Sequence, residues 1–285
     1  MRNHSLLAWR GLFLREVREN KAQLIYTPAI FLFLGLLLLA EIASAVFPDI
    51  ESRSLIIDQF FTGLESMDIS SFAPLFTTAS GPYLFVMMLT AMIYLSKSLY
   101  ADRRDQSYLF WQSMPVSDTK TVLSKVVIAL FVIPLFYFAA LLLALALVLI
   151  VIVAYAMMLG VELAGISELI SLLISGALYT FLSSMLGMFW LLPVVGWILL
   201  FSAFAPRAPL LWAIAVAFLL NLVERVFIGS NTIESWINSR SNPWQYLAFG
   251  VEDLLLRLTS YEMLFGFLIA AVLILGAVGM RRFSD

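Results

Sequence analysis

The chain has 285 residues, 62% hydrophobic and 13% charged, against about 45–50% and about 25% in soluble domains, so an ordinary soluble globule is excluded. The net charge of −2 says little, because in such a chain the placement of charges matters more than their sum, and nothing argues for a nucleic-acid partner. With no cysteine and a single histidine, His4, the chain has no disulfide, no thiolate metal site, and no means of completing a Ser-His or multi-His centre.

In chain order, Ser5 to Asn20 comes first. Leu6, Trp9, Phe13 and Val17 share one helical stripe, with Arg15, Arg18 and Glu19 opposite, which is the pattern of an amphipathic helix lying in the membrane interface and occupying residues 1–22. A cleavable signal peptide fits less well, because the charges follow the apolar residues and no small-residue cleavage site precedes the next span. The first span is expected from Leu24 to Phe47, with Pro28 near its start and Glu41 in its last third. A carboxylate at that depth marks an ion or substrate path, or else a group close to the outer headgroups or paired with a neighbouring span. An acidic outer segment, 48–81, follows. It sets Asp49, Glu51, Asp58, Glu65 and Asp68 against Arg53 and carries a short amphipathic helix through Ile57, Phe60, Phe61 and Leu64. The second span runs from Pro82 to Tyr100, with Lys97 able to snorkel at its inner end.

The stretch Asp102–Lys125, DRRDQSYLFWQSMPVSDTKTVLSK, concentrates charge and aromatics as nothing else in the chain does. Tyr108, Leu109, Phe110 and Trp111 are consecutive, and at about 100° per residue they cover a whole helical circumference. A helix that is apolar all round needs two surfaces to bury against. The span ends of its own chain supply one, and a second protein is the economical source of the other.

Those residues, with the Pro115-Val116-Ser117-Asp118 turn leading into a span, resemble the first cytoplasmic loop of ATP-binding-cassette (ABC) permeases of the type-2 exporter class. The segment Trp197–Leu211, WILLFSAFAPRAPLL, is similar to the same family. The resemblance implies that residues 101–120 form a coupling loop whose Gln106–Val116 helix docks on a separate ATPase subunit. Tyr108, Leu109, Phe110, Trp111 and Met114 would be its apolar contacts, with Arg103 and Arg104 as rim charges. It also implies a dimer of ATPase subunits holding ATP and magnesium, no cofactor in this chain, and a second permease copy, identical or related. Export across a bacterial inner (plasma) membrane is implied in the same way.

Beyond the loop, Thr121 to Met158 is almost unbroken apolar sequence, too long for one untilted crossing, with a bend expected at Pro134. Val161 to Ser175 reads as an outer connection, and a fourth span lies within Leu169–Phe204, with Gly187, Pro193 and Gly196 as bend points. A tight turn at Ala205–Pro209 leads to a fifth span at Leu210–Phe227, closed by a Glu224–Arg225 pair. A second outer segment, 229–260, holds Trp236, Trp244 and Tyr246, as interfacial or re-entrant helices do, and the last span, Tyr261–Met280, ends in Arg281-Arg282.

The expectation is therefore an all-α polytopic membrane protein with six transmembrane helices, residues 23–285 forming the permease domain. Arg2, Arg10, Arg15, Arg18, Lys21, Lys97, Arg103, Arg104, Lys120, Lys125, Arg207, Arg281 and Arg282 fall on one side of it. Arg53, Arg225, Arg240 and Arg257 fall on the other, which puts both termini and the loop in the cytoplasm. There is no G-x-x-x-x-G-K-[ST] phosphate loop and no H-E-x-x-H, so the chain is not itself expected to be an enzyme. The alternative to a transport subunit is a membrane scaffold or assembly factor whose loop docks a cytosolic partner without transport.

Overall fold

The computed structural model describes residues 2–46, 59, 63, 68–104, 117–160, 165–241 and 256–283, and among these there are helices and no strand. Helix α1 (Arg2–Glu19) turns through a π-helical segment, Ala22–Tyr26, into α2 (Thr27–Val46). Helix α3 (Ile69–Ala79) leads directly into α4 (Gly81–Arg104). After Ser117 come α5 (Asp118–Val127), a second π turn (Ile128–Val132) and α6 (Ile133–Leu159). They are followed by α7 (Ile166–Trp190), α8 (Leu192–Phe204), α9 (Pro209–Val223) with a third π turn (Glu224–Ile228), α10 (Thr232–Ser241) and α11 (Tyr261–Phe283).

Among the described residues, five helices are long and apolar enough to cross a membrane: Gly81–Arg104, Asp118–Met158, Ile166–Trp190, Pro209–Ile228 and Tyr261–Arg281. Gly11–Glu19 and Ala22–Leu38, bent by 71°, make a sixth if the pair counts as one span. These helices mark a multi-pass membrane protein. Ile57, Phe60, Phe61 and Leu64 of the expected amphipathic helix, and Trp244 and Tyr246, lie outside the described residues.

Proline explains the first two π turns. A proline in a helix has no N–H for the carbonyl four residues back and crowds that carbonyl, so the preceding turn widens. Pro28 stands just after Ala22–Tyr26 and Pro134 just after Ile128–Val132. In the first turn the carbonyl of Ala22 accepts from both the backbone N–H and the hydroxyl of Thr27, five residues on. The expected bend at Pro134 is therefore a widened turn inside one continuous run. At 41 residues, Asp118–Met158 spans roughly 60 Å, about twice a bilayer core. In the fourth region the break falls at Leu191, just before Pro193. Gly196 serves close approach instead, because a Cβ there would sit 3.0 Å from Leu273 Cβ and 3.2 Å from the Ala270 carbonyl.

Helix α8 packs most extensively on α11 and then on α4, and the main core gathers residues of α4, α5, α6, α8 and α11 around Tyr94, Leu95, Ile128 and Leu199. The most apolar windows of α6 and α9 are only 17% and 11% buried, against 56% for α4, so those two helices offer their surfaces to lipid or to another chain. Polar pairs stitch the interior. Thr77 and Thr180 hydrogen-bond at 2.9 Å, Thr90 and Tyr137 at 2.7 Å, and Tyr83 donates to the Tyr137 carbonyl at 2.9 Å.

Candidate functional site

The second half of the apolar stripe of α1 faces protein. Phe13 and Val17 pack against the main core, Leu12 is buried, and the edge of the same face carries a carboxylate, Glu16, only 3% exposed. Phe13 and Val17 thereby seat α1 on the bundle.

Glu16 is buried because Lys125, 1% exposed on the inward face of α5, meets it with Nζ 2.6 Å from Oε1. Tyr94 of α4 donates to the other oxygen at 2.8 Å, and Asn20 reaches it at 3.4 Å. Lys125 Nζ also lies 3.3 Å from Asp102 Oδ2 in the last turn of α4. Asp102 in turn faces Arg15 Nη2 at 3.3 Å and Arg281 Nη1, near the end of α11, at 3.9 Å. Arg281 Nε contacts Asp118 Oδ1 at 3.2 Å, and Arg15 Nε contacts Glu19 at 2.6 Å. Charges this dry persist only when paired and hydrogen-bonded, and here each buried carboxylate has cations or donors around it.

The same end of the bundle carries the stems of the 105–116 segment. Ser117 caps α5, its hydroxyl accepting from the Lys120 N–H at 3.4 Å, so the helix begins where the Ser117-Asp118 signal predicts. Tyr108, Leu109, Phe110, Trp111 and Met114 lie outside the described residues. Arg104 is exposed at the end of α4. Arg103 turns back on the bundle and donates through Nη2 to the carbonyls of Ala205 at 2.8 Å and Ser202 at 3.2 Å, capping α8. The Ser202 hydroxyl accepts from the N–H groups of Leu99 and Tyr100, at 3.1 Å each, and donates to the Ser96 carbonyl at 2.9 Å. The last turns of α4 are thereby fixed to α8.

Comparison of the chain with protein-family models, with curated proteins and with solved structures found no match.

The remaining singled-out residues are not brought to this cluster. Glu41 lies on an exposed side of α2, in its last turns. The expected Glu224–Arg225 pair is replaced by two separate arrangements. Glu224 accepts from the Ser230 hydroxyl at 2.6 Å and from the N–H groups of Thr232 and Ile233 at 2.8 Å each, while Arg225 lies 3.8 Å from Glu234. Adjacent residues on a helix point about 100° apart, which favours separate partners. Arg240 is buried with its guanidinium carbon 4.1 Å from the centre of the Trp190 ring and 5.3 Å from that of Trp236. It donates to the carbonyls of Trp190 and Glu262. Among the described residues no group of three or more His, Cys, Asp or Glu could hold a metal ion.

Proposed function

We propose that the chain is the membrane-spanning subunit of an ATP-driven exporter of the type-2 ABC class, coupled to a separate ATPase through the 101–120 loop and its Gln106–Val116 stretch. The observation that carries this reading is where the helices flanking that loop lie. Helices α4 and α5, which lead into and out of it, meet α1 and α11 on buried ion pairs at one end of the bundle. A loop that receives force needs stiff stems, and buried, paired charges supply them. The cation distribution puts this end in the cytoplasm, where an ATPase resides. The chain supplies half of a pore, so a second permease copy completes the path, and ATP and magnesium sit on the partner.

The deciding experiment is co-purification of the chain with a cassette ATPase, parent against Phe110→Ala with Trp111→Ala. An aromatic anchor in a partner groove contributes about 2 kcal/mol or more, so capture should weaken at least about thirtyfold while membrane insertion stays normal. Undiminished capture by the double variant would remove the coupling assignment. Capture of a cytosolic protein that hydrolyses no ATP would favour a scaffold.

A further inference from the structure

We propose that Asp102 and Arg281 are positioning residues that tie both stems of the 105–116 segment to the last span. The proposal rests on the coupling reading for what the segment does, and on geometry for how it is held. Asp102, on the outgoing stem, faces cations from three other segments: Arg15 on α1, Lys125 on the incoming stem, and Arg281 at the end of α11. Arg281 also holds Asp118, the first residue of the incoming stem, through Nε at 3.2 Å. One guanidinium thus meets a carboxylate on each side of the loop. The planar fork of donors on arginine suits such bridging, whereas lysine brings a single point charge on a flexible stem.

This arrangement behaves as a catch. Arg281 lies 3.2 Å from Asp118 and 3.9 Å from Asp102. The first is a charge-assisted contact that weakens within a few tenths of an ångström and the second a longer ion pair, so stems that part or slide shift the guanidinium from one carboxylate toward the other. What receives the motion is stiff. Helix α11 lies along α8 with no room for a side chain at Gly196, and α8 is pinned to α4 through Ser202 and Arg103. A displacement of the loop therefore reaches the last span through Arg281, as a change of partner between packed elements.

The tie can be cut without threatening the fold. The Arg281 and Asp118 side chains are 13% and 39% exposed, against 2% and 4% for Lys125 and Glu16, and neutralising both leaves the Glu16–Lys125–Asp102 core in place. Because the chain has no cysteine, Leu123→Cys and Met280→Cys, both at exposed positions, give a uniquely labelled pair for pulsed electron–electron resonance in lipid nanodiscs. Without any partner, the parent should give a narrow distance distribution and Arg281→Gln with Asp118→Asn a clearly broader one. Arg281→Lys should fall between them, and it carries the same comparison should the double variant not insert. Equal widths in parent and variants overturn the tie. In the presence of ATPase, capture should be unchanged by the double variant while chain-stimulated ATP hydrolysis falls at least about fivefold. Unchanged stimulation overturns the role in coupling. If the parent itself captures no ATPase, the coupling reading fails, and the distance widths still decide the tie.

Discussion

Replacing Lys125 with methionine asks how firmly Glu16 depends on that cation. The pair is 2.6 Å apart, with side chains 2% and 4% exposed, so solvent screens little of it. Removing one member of a buried pair costs about 3–5 kcal/mol, most of it the burden of the charge left behind. Glu16 would keep the Tyr94 and Asn20 hydrogen bonds, and Asp102 would keep Arg15 and Arg281. The lower end applies, about 3 kcal/mol, or roughly 150-fold in the ratio of folded to unfolded chain. Glu16→Leu combined with Lys125→Met removes both charges and leaves chiefly the Tyr94 hydroxyl short of its acceptor, a loss of about 1 kcal/mol. The double variant should therefore be more stable than Lys125→Met alone. Midpoints of thermal unfolding in detergent, read by size-exclusion chromatography of all four chains, complete the cycle. Purely additive losses, or a Lys125→Met chain as stable as the parent, would refute the view that this pair seats α1.

Two further substitutions probe contacts away from that cluster. A Cβ at Gly266 would fall on the Arg240 guanidinium, so Gly266→Ala should displace Arg240 from the Trp190 ring and carbonyl and lower the unfolding midpoint. In an Arg240→Met background the same change should cost far less, and an equal cost in both would show that the clash lies elsewhere. Thr77→Val with Thr180→Val removes one interhelical hydrogen bond between α3 and α7, worth about 0.6 and at most about 1.7 kcal/mol in a membrane. A larger loss in the same unfolding assay would mean that the pair does more than join two helices.

The apolar spans were legible because nothing but a membrane suits such runs, and Pro134, the Ala205–Pro209 turn and the Ser117 cap acted where their chemistry predicts. Glu16 and Lys125 were less visible, although each leaves a trace. At about 100° per residue Glu16 falls between Leu12 and Phe13, at the edge of the apolar stripe of α1, and Lys125 falls close to Val122 and Ala129. Each is a charge set in an apolar face. The pairing itself was illegible, because its members lie 109 residues apart and only the tertiary fold brings them together. Arg103 misled for a related reason. A cation at a helix end reads as a surface charge unless the carbonyls it caps, at Ser202 and Ala205, are known to lie beside it.

The two ends of α11 show why the Asp102 end is the one suited to change. Toward its start, Arg240 binds the carbonyls of Trp190 and Glu262, and nearby in the chain Glu224 binds the N–H groups of Thr232 and Ile233. Those partners are backbone groups fixed by their helices, and neither charge can trade them without unwinding something. Toward the other end, Arg281, Arg15 and Lys125 share Asp102 while each also contacts a further carboxylate, Asp118, Glu19 or Glu16. Side-chain ions can exchange partners at modest cost, provided none is left alone in a dry site. An end in which several cations crowd one carboxylate, each with a second within reach, meets that condition. Discrete re-pairing of this kind is what a two-state element requires. On the coupling proposal, the backbone-anchored end serves as the fixed pivot for re-pairing at the Asp102 end.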